Sequence, residues 1–187
     1  MENTGTRPKS SGDSHRPDDA ELARLAARIK GWGEALGFQK VGICDTDLGQ
    51  HEERLLDWLA DGFHGEMGYM ERHGTRRSRP ADLVPGTVRV ITARMDYAND
   101  AALPASELLD KPAQALISRY ALGRDYHKVL RKRLQKLAER IERVTGPFLY
   151  RAFTDSAPVL EKALARNAGL GWIGKHTNLI NEPAGAW

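Results

Sequence analysis

The stretch YHKVLRKRLQKLAERIERVTGP, residues 126–147, constrains the fold more than any other. Leu130, Leu134, Leu137, Ile141 and Val144 recur at steps of four and three, which is one apolar stripe along a helix. Gly146-Pro147 stops that helix twice over, because glycine caps a helix end and proline cannot continue one. Leu22, Leu25, Ile29, Trp32 and Leu36 repeat the pattern, with Gly37 where a C-terminal cap belongs.

Three segments between and after these helices read as strands: FQKVGICDTD (38–47), TVRVITARMDY (87–97) and FLYRAF (148–153). The second is β-branched and follows Pro85-Gly86, so a buried strand is expected there. Residues 51–61 read as helix, 62–74 as a loop around one short turn, and 98–115 as loop. Asp155 or Ser156 is expected to cap a further helix, with Pro158 in its first turn and Gly169 at its end. Strand and helix alternate, which makes an α/β or α+β sandwich the expected fold class. Residues 1–19 are polar and aperiodic and read as a disordered tail, followed by one domain over 20–187.

The 187 residues, 41% of them hydrophobic, suffice for a single domain with a real core. The net charge of +3 permits an anionic partner without requiring one. One cysteine, Cys44, excludes an internal disulfide and any CxxC zinc or iron–sulfur site built from this chain alone, as suits a reducing cytoplasm. No apolar run approaches the roughly 20 residues of a membrane span, and the N-terminus lacks the apolar centre of a signal peptide. The expectation is a soluble intracellular protein.

Several residues could carry chemistry. On the basic helix, Arg124, Lys128, Arg131, Lys132, Arg133, Lys136, Arg140 and Arg143 outnumber the acids, a surplus that suits phosphates or simply a solvated helix face. RYALGRDYH, residues 119–127, packs six polar or aromatic groups and a glycine just before a helix start. The free N–H groups there suit a phosphate or amide-rich ligand, or Asp125 serves as an N-cap beside packed tyrosines. Asp155 sits where a strand end meets a helix start, a common place for a functional side chain, although a capping carboxylate is favoured ionised by the helix dipole. Gly169, Gly171 and Gly174 give G-x-G-x-x-G after a helix instead of after a strand, which fails the dinucleotide context. They fit better as close backbone approach to a flat ligand, with Trp172 as wall and Lys175 as donor. His64 and His73 lack zincin spacing, and Cys44 reads as a small core residue.

HGEMGYMERH, RPADLVPG, ARMDY, SRYALGRDYHKVLRKRL, DSAPVLEKALA and GLGWIGKHTNLI occur in the order and spacing of the N-terminal half of epoxyqueuosine reductase, and from about the first helix onward the chain resembles that family. The resemblance implies a cobalamin-dependent oxidoreductase that removes the epoxide oxygen of epoxyqueuosine at the tRNA anticodon wobble position. It implies a cobalamin-binding domain like that of reductive dehalogenases, nitroreductase-like in shape, beside a domain with two [4Fe–4S] clusters for which this chain has no ligands. Asp155 matches the family's proton donor. Arg77, Ser118, Lys175, His176 and Leu179 fall where cobalamin contacts are expected, and Asp155 joins them. Lys132, Arg133 and Lys136 are the expected tRNA contacts. The expected protein is a cytoplasmic monomer with no membrane partner and no metal bound directly by its side chains, and the chain reads as a fragment ending before the cluster domain. The competing readings are a cofactor-free RNA-binding module working through helix 126–145, and a flavin enzyme of nitroreductase-like shape.

Overall fold

The computed structural model describes residues 17–97, 104–182 and 185–186. The expected tail therefore lies almost wholly outside the described residues. Its far end does not. Helix α1 spans Asp19–Ala35, and Asp18 caps it with a full capping box: its carboxylate accepts the Glu21 N–H at 2.7 Å, while Glu21 accepts the Asp18 N–H at 3.0 Å. The domain thus starts about two residues earlier than composition suggests, because Asp18-x-x-Glu21 is itself a helix-start signal.

Strand β1 (Lys40–Cys44) pairs antiparallel with β2 (Val90–Arg94), Gly42 opposite Thr92. Helix α2 (Gly49–Ala60), a 3-10 turn at Gly74–Arg77 and a single-turn helix α3 (Pro80–Leu83) lie between them in the chain. After β2 come the short helix α4 (Ala105–Leu109), a 3-10 turn at Arg119–Ala121 and the long helix α5 (Tyr126–Thr145). Helix α6 (Glu161–Asn167) leads into a small antiparallel sheet of β3 (Trp172–Ile173), β4 (Leu179–Asn181) and β5 (Gly185–Ala186).

Two apolar clusters explain the layering. Ile29 of α1, Phe38, Val41 of β1 and Leu137 and Ile141 of α5 form one, so the two long amphipathic stripes bury against the same face of the sheet. Cys44, Leu48, Ala163 and Leu164 form the other, on the α6 side. The sheet is thereby held between helices, a mixed α/β arrangement. Gly42 makes the second contact possible, because a Cβ there would fall 2.4 Å from the Ala168 carbonyl oxygen. Helix α6 packs on both sheets, touching β1 and β2 on one side and β3 and β4 on the other. Asn181, buried in β4, fastens the second sheet by donating to the Leu170 carbonyl at 2.7 Å.

Four local expectations are corrected. The segment 87–97 yields only Val90–Arg94 as strand, and its residues are half-buried, since the strand has a partner on one edge only among the described residues. FLYRAF forms no strand. Leu149 is 82% exposed there, so its apolar content reflects an open surface and not a ladder position. Part of the expected 98–115 loop is α4, while 98–103 lie outside the described residues. Neither Asp155 nor Ser156 caps α6, because the helix begins at Glu161 with Leu160 as an uncapped N-cap, and Pro158 precedes it.

Candidate functional site

Asp155 stands in the irregular segment between α5 and α6 with its backbone in the left-handed region, φ 56°. That region is uncommon for a residue with a side chain, and aspartate is among those that tolerate it. Two contacts hold it. The Tyr126 hydroxyl donates to Asp155 Oδ2 at 2.5 Å, and the Asp155 N–H donates to Glu161 Oε1 at 3.2 Å. His127 Nε2 lies 3.5 Å from the same Oδ2, and its Nδ1 lies 3.0 Å from Asp125 Oδ1. The Tyr126 and His127 rings stack at 4.0 Å, and Tyr120 meets Tyr126 edge-on at 5.8 Å. RYALGRDYH therefore does what its conservative reading required, since Asp125 caps α5 by accepting the His127 N–H and the tyrosines pack. It also delivers two side chains to Asp155.

The electrostatics follow from these contacts. The hydrogen bond to the Asp155 carboxylate, with some burial and the carboxylate's charge, pushes the Tyr126 phenol up to about 12, so Tyr126 stays protonated and donating. Burial, and then the negative charge of Asp155, push the Glu161 carboxyl above the usual carboxylate range. Tyr126 and His127 both approach Oδ2, so Oδ1 is the carboxylate oxygen that these two side chains leave open. The Asp155 side chain is 51% exposed, so a ligand can reach it.

The other expected site residues sit on several elements, of which the Gly74–Arg77 turn is bonded to this segment. The Arg77 carbonyl accepts the Leu160 N–H at 2.9 Å, which puts the Gly74–Arg77 turn beside the start of α6. Its guanidinium is committed elsewhere, to the Tyr69 and Met70 carbonyls at 2.8 and 3.0 Å. Ser118 precedes the 3-10 turn that carries Tyr120, within a run from 111 to 125 that is exposed throughout. Lys175 and His176 are exposed in the turn between β3 and β4, and Lys162 Nζ joins that turn to α6 by donating to Asn178 Oδ1 at 3.3 Å. Leu179 is a correction. Its side chain is buried at 6% exposure and belongs to the packing of β4. At Gly171 the close approach is to the neighbouring strand, for a Cβ there would stand 2.1 Å from the Ile180 carbonyl oxygen, whereas Gly169 meets nothing within 4 Å. Trp172 does present an open face, 50% exposed.

On α5, Lys132 and Lys136 are exposed one turn apart. Arg133 is half-buried, its Nη1 donating to the Gly37 carbonyl at 3.1 Å and lying 3.1 Å from Met95 Sδ, because position 133 borders the Leu130–Leu134–Leu137 stripe. It is a tie between α5 and the end of α1. Sequence reasoning missed Glu161, whose only signal was its place six residues beyond Asp155. Cys44 is buried as expected. Among the described residues no helix is long and apolar enough to cross a membrane.

Solved structures with this arrangement of helices and sheets are epoxyqueuosine reductases. One, holding a tRNA-Tyr epoxyqueuosine-modified stem loop, matches with a TM-score of 0.73 at 19% identity over 89% of this chain and 44% of its own. Another, from Bacillus subtilis with its catalytic aspartate loop swung out of the active site, matches with a TM-score of 0.71 at 19% identity over the same shares. The fold is therefore the mixed α/β fold of those enzymes. Residues 77–156 match the family described as "Epoxyqueuosine reductase QueG, DUF1730". The epoxyqueuosine reductase of Pseudomonas aeruginosa is 59% identical over 184 residues, 96% of this chain and 49% of that protein. Over nearly its whole length the chain is similar to epoxyqueuosine reductases, and it spans about half the length of the curated relatives it matches.

Proposed function

We propose that this chain supplies the proton-donating and cofactor-facing part of an epoxyqueuosine reductase acting in the cytoplasm on tRNA, with Asp155 as the acid. The observation that supports this reading is the setting of Asp155: its carboxylate is half-exposed and held at one oxygen by Tyr126, the Gly74–Arg77 turn is bonded to Leu160 at the end of the same irregular segment, and the turn carrying Lys175 and His176 is tied to the helix that follows. Removing an epoxide oxygen as water leaves an alkene and takes two electrons and two protons. The oxygen leaves poorly as an alkoxide, and a carboxylic acid placed against it lowers that barrier.

The residues present fit cobalamin. A broad, largely apolar ring system needs open apolar surface with polar groups at its rim, and the exposed run from 111 to 125 offers Leu116, Ile117, Tyr120 and Leu122, with Trp172 also open. Ser118, Lys175 and His176 would hold its periphery, with the turn that carries Arg77 alongside, in a domain of the kind expected from reductive dehalogenases. When bound, the cobalt centre supplies electrons that no side chain can. Asp155 delivers a proton from Oδ1, while Tyr126 keeps Oδ2 fixed and His127 borders the same oxygen. Lys132 and Lys136 meet the phosphates of the tRNA. One cysteine leaves no set of ligands for a [4Fe–4S] cluster in this sequence, so the ligands of any such cluster lie outside it.

Titrating the chain with hydroxocobalamin, followed by visible absorbance, is expected to show saturable binding that survives Asp155→Asn. In the holoenzyme, the same variant should lower single-turnover deoxygenation by roughly 10²- to 10⁴-fold, the usual contribution of a general acid. An Asp155→Asn enzyme with normal turnover would sink the assignment.

A further inference from the structure

The backbone at Asp155 is in a costly state, and something must hold it there. A non-glycine residue in the left-handed region costs on the order of 1 kcal/mol, so contacts have to offset that cost. Neither helix nor strand hydrogen bonding is available between 154 and 160. The segment is held by the Leu160 N–H on the Arg77 carbonyl at its far end, by the Val159 N–H on the Ala157 carbonyl within it, and at its near end by the Tyr126 hydroxyl on Asp155 Oδ2 and the Asp155 N–H on Glu161 Oε1, the last being the bond made by the Asp155 backbone itself.

We infer that Glu161 is a positioning residue for Asp155: by accepting the Asp155 N–H it fixes the left-handed backbone that turns the carboxylate onto the Tyr126 hydroxyl. This rests on the reading of Asp155 as the proton donor. Glu161 is suited to the task because it stands in the first turn of α6, whose Ala163 and Leu164 are buried in the second apolar cluster, so the acceptor sits on a fixed element while the donor sits on an irregular one. A purely local role, a carboxylate placed near its own helix N-terminus, is served as well by a side chain pointing to solvent. Glu161 instead turns back six residues and is partly buried beside a second carboxylate, which raises its own carboxyl against the charged form. The N–H between the two groups is what makes that proximity tolerable.

The test needs only the chain itself, followed by amide hydrogen exchange and by the ultraviolet titration of its tyrosines. Glu161→Ala removes the acceptor, and the Asp155 amide should exchange about tenfold faster, the scale of one missing hydrogen bond. The Tyr126 phenol, which titrates at about 12 through its bond to Asp155, should then titrate lower. Glu161→Gln keeps a carbonyl oxygen in place and should restore both readouts to near wild type. Glu161→Asp, one methylene too short to reach, should behave as the alanine variant does, and it decides the matter if alanine unfolds α6. An unchanged Asp155 amide and an unchanged Tyr126 titration in a folded Glu161→Ala or Glu161→Asp chain would overturn the inference. In the holoenzyme, Glu161→Ala should lower kcat at unchanged KM with recovery in Glu161→Gln. Full turnover in Asp155→Asn would remove the proton-donor reading while leaving the amide result standing, so the two failures are told apart.

Discussion

Tyr126 is the residue whose chemistry depends most directly on its neighbour. Its phenol binds a proton in the folded chain up to about pH 12, against about 10 for an ordinary tyrosine. Between those values the folded state holds more protons than the unfolded state, so stability is full below pH 10 and falls as pH rises toward 12. Chemical denaturation at the two ends of that window should show the decline in the wild-type chain and a smaller one in Tyr126→Phe and in Asp155→Asn. The asparagine variant suits this comparison, because asparagine tolerates the left-handed backbone as aspartate does. An equal decline in all three would mean that the Tyr126–Asp155 bond does not form in solution.

At the scale of the element, α5 presents charged groups in two different settings. Lys132 and Lys136 project from it, whereas Arg133 ties it to Gly37. Replacing Lys132 and Lys136 with alanine should weaken tRNA binding and reduce the slope of log affinity against log salt by about 0.7 to 0.9 for each phosphate left without its lysine, with the melting temperature little changed. Arg133→Ala should do the reverse, costing about 1 to 3 kcal/mol of stability by removing a charged hydrogen bond and leaving the salt slope nearly intact. The stripe of α5 and that of α1 were legible in the sequence because a period of 3.6 is a strong local signal. Arg133 was not, since nothing local separates a charge at the border of the stripe from one on the open face. FLYRAF misled for the opposite reason: aromatic and apolar residues suit a strand, but pairing needs a partner edge, and partners are set by tertiary structure. Asp155 was singled out by an expected strand end and helix cap, neither of which forms there, and by its match to the family motif, while Glu161 was invisible because its partner lies across an irregular segment.

At the scale of the molecule, α6 is the element on which the two sheets depend. Leu164, 2% exposed, packs with Cys44 and Leu48 beneath the first sheet, and the same short helix rests on β3 and β4 of the second. Leu164→Ala should cost about 2 to 5 kcal/mol, as large-to-small changes in a core do. Because one helix serves both sides, amide exchange should rise in β1 and in β4 together. Faster exchange confined to β1 would show that the second sheet has its own footing.

The close approach of Gly171 to the Ile180 carbonyl and that of Gly42 to the Ala168 carbonyl share a consequence for descent. In each case the obstacle is main chain, which cannot step aside as a side chain does. Any lineage that keeps this arrangement inherits both glycines without choice. Gly31 and Gly68 meet nothing within 4 Å, and history is free to rewrite them. Glycines that look alike on paper thus carry different kinds of memory: two record how closely strand and turn must approach, and the others record only that nothing has yet replaced them.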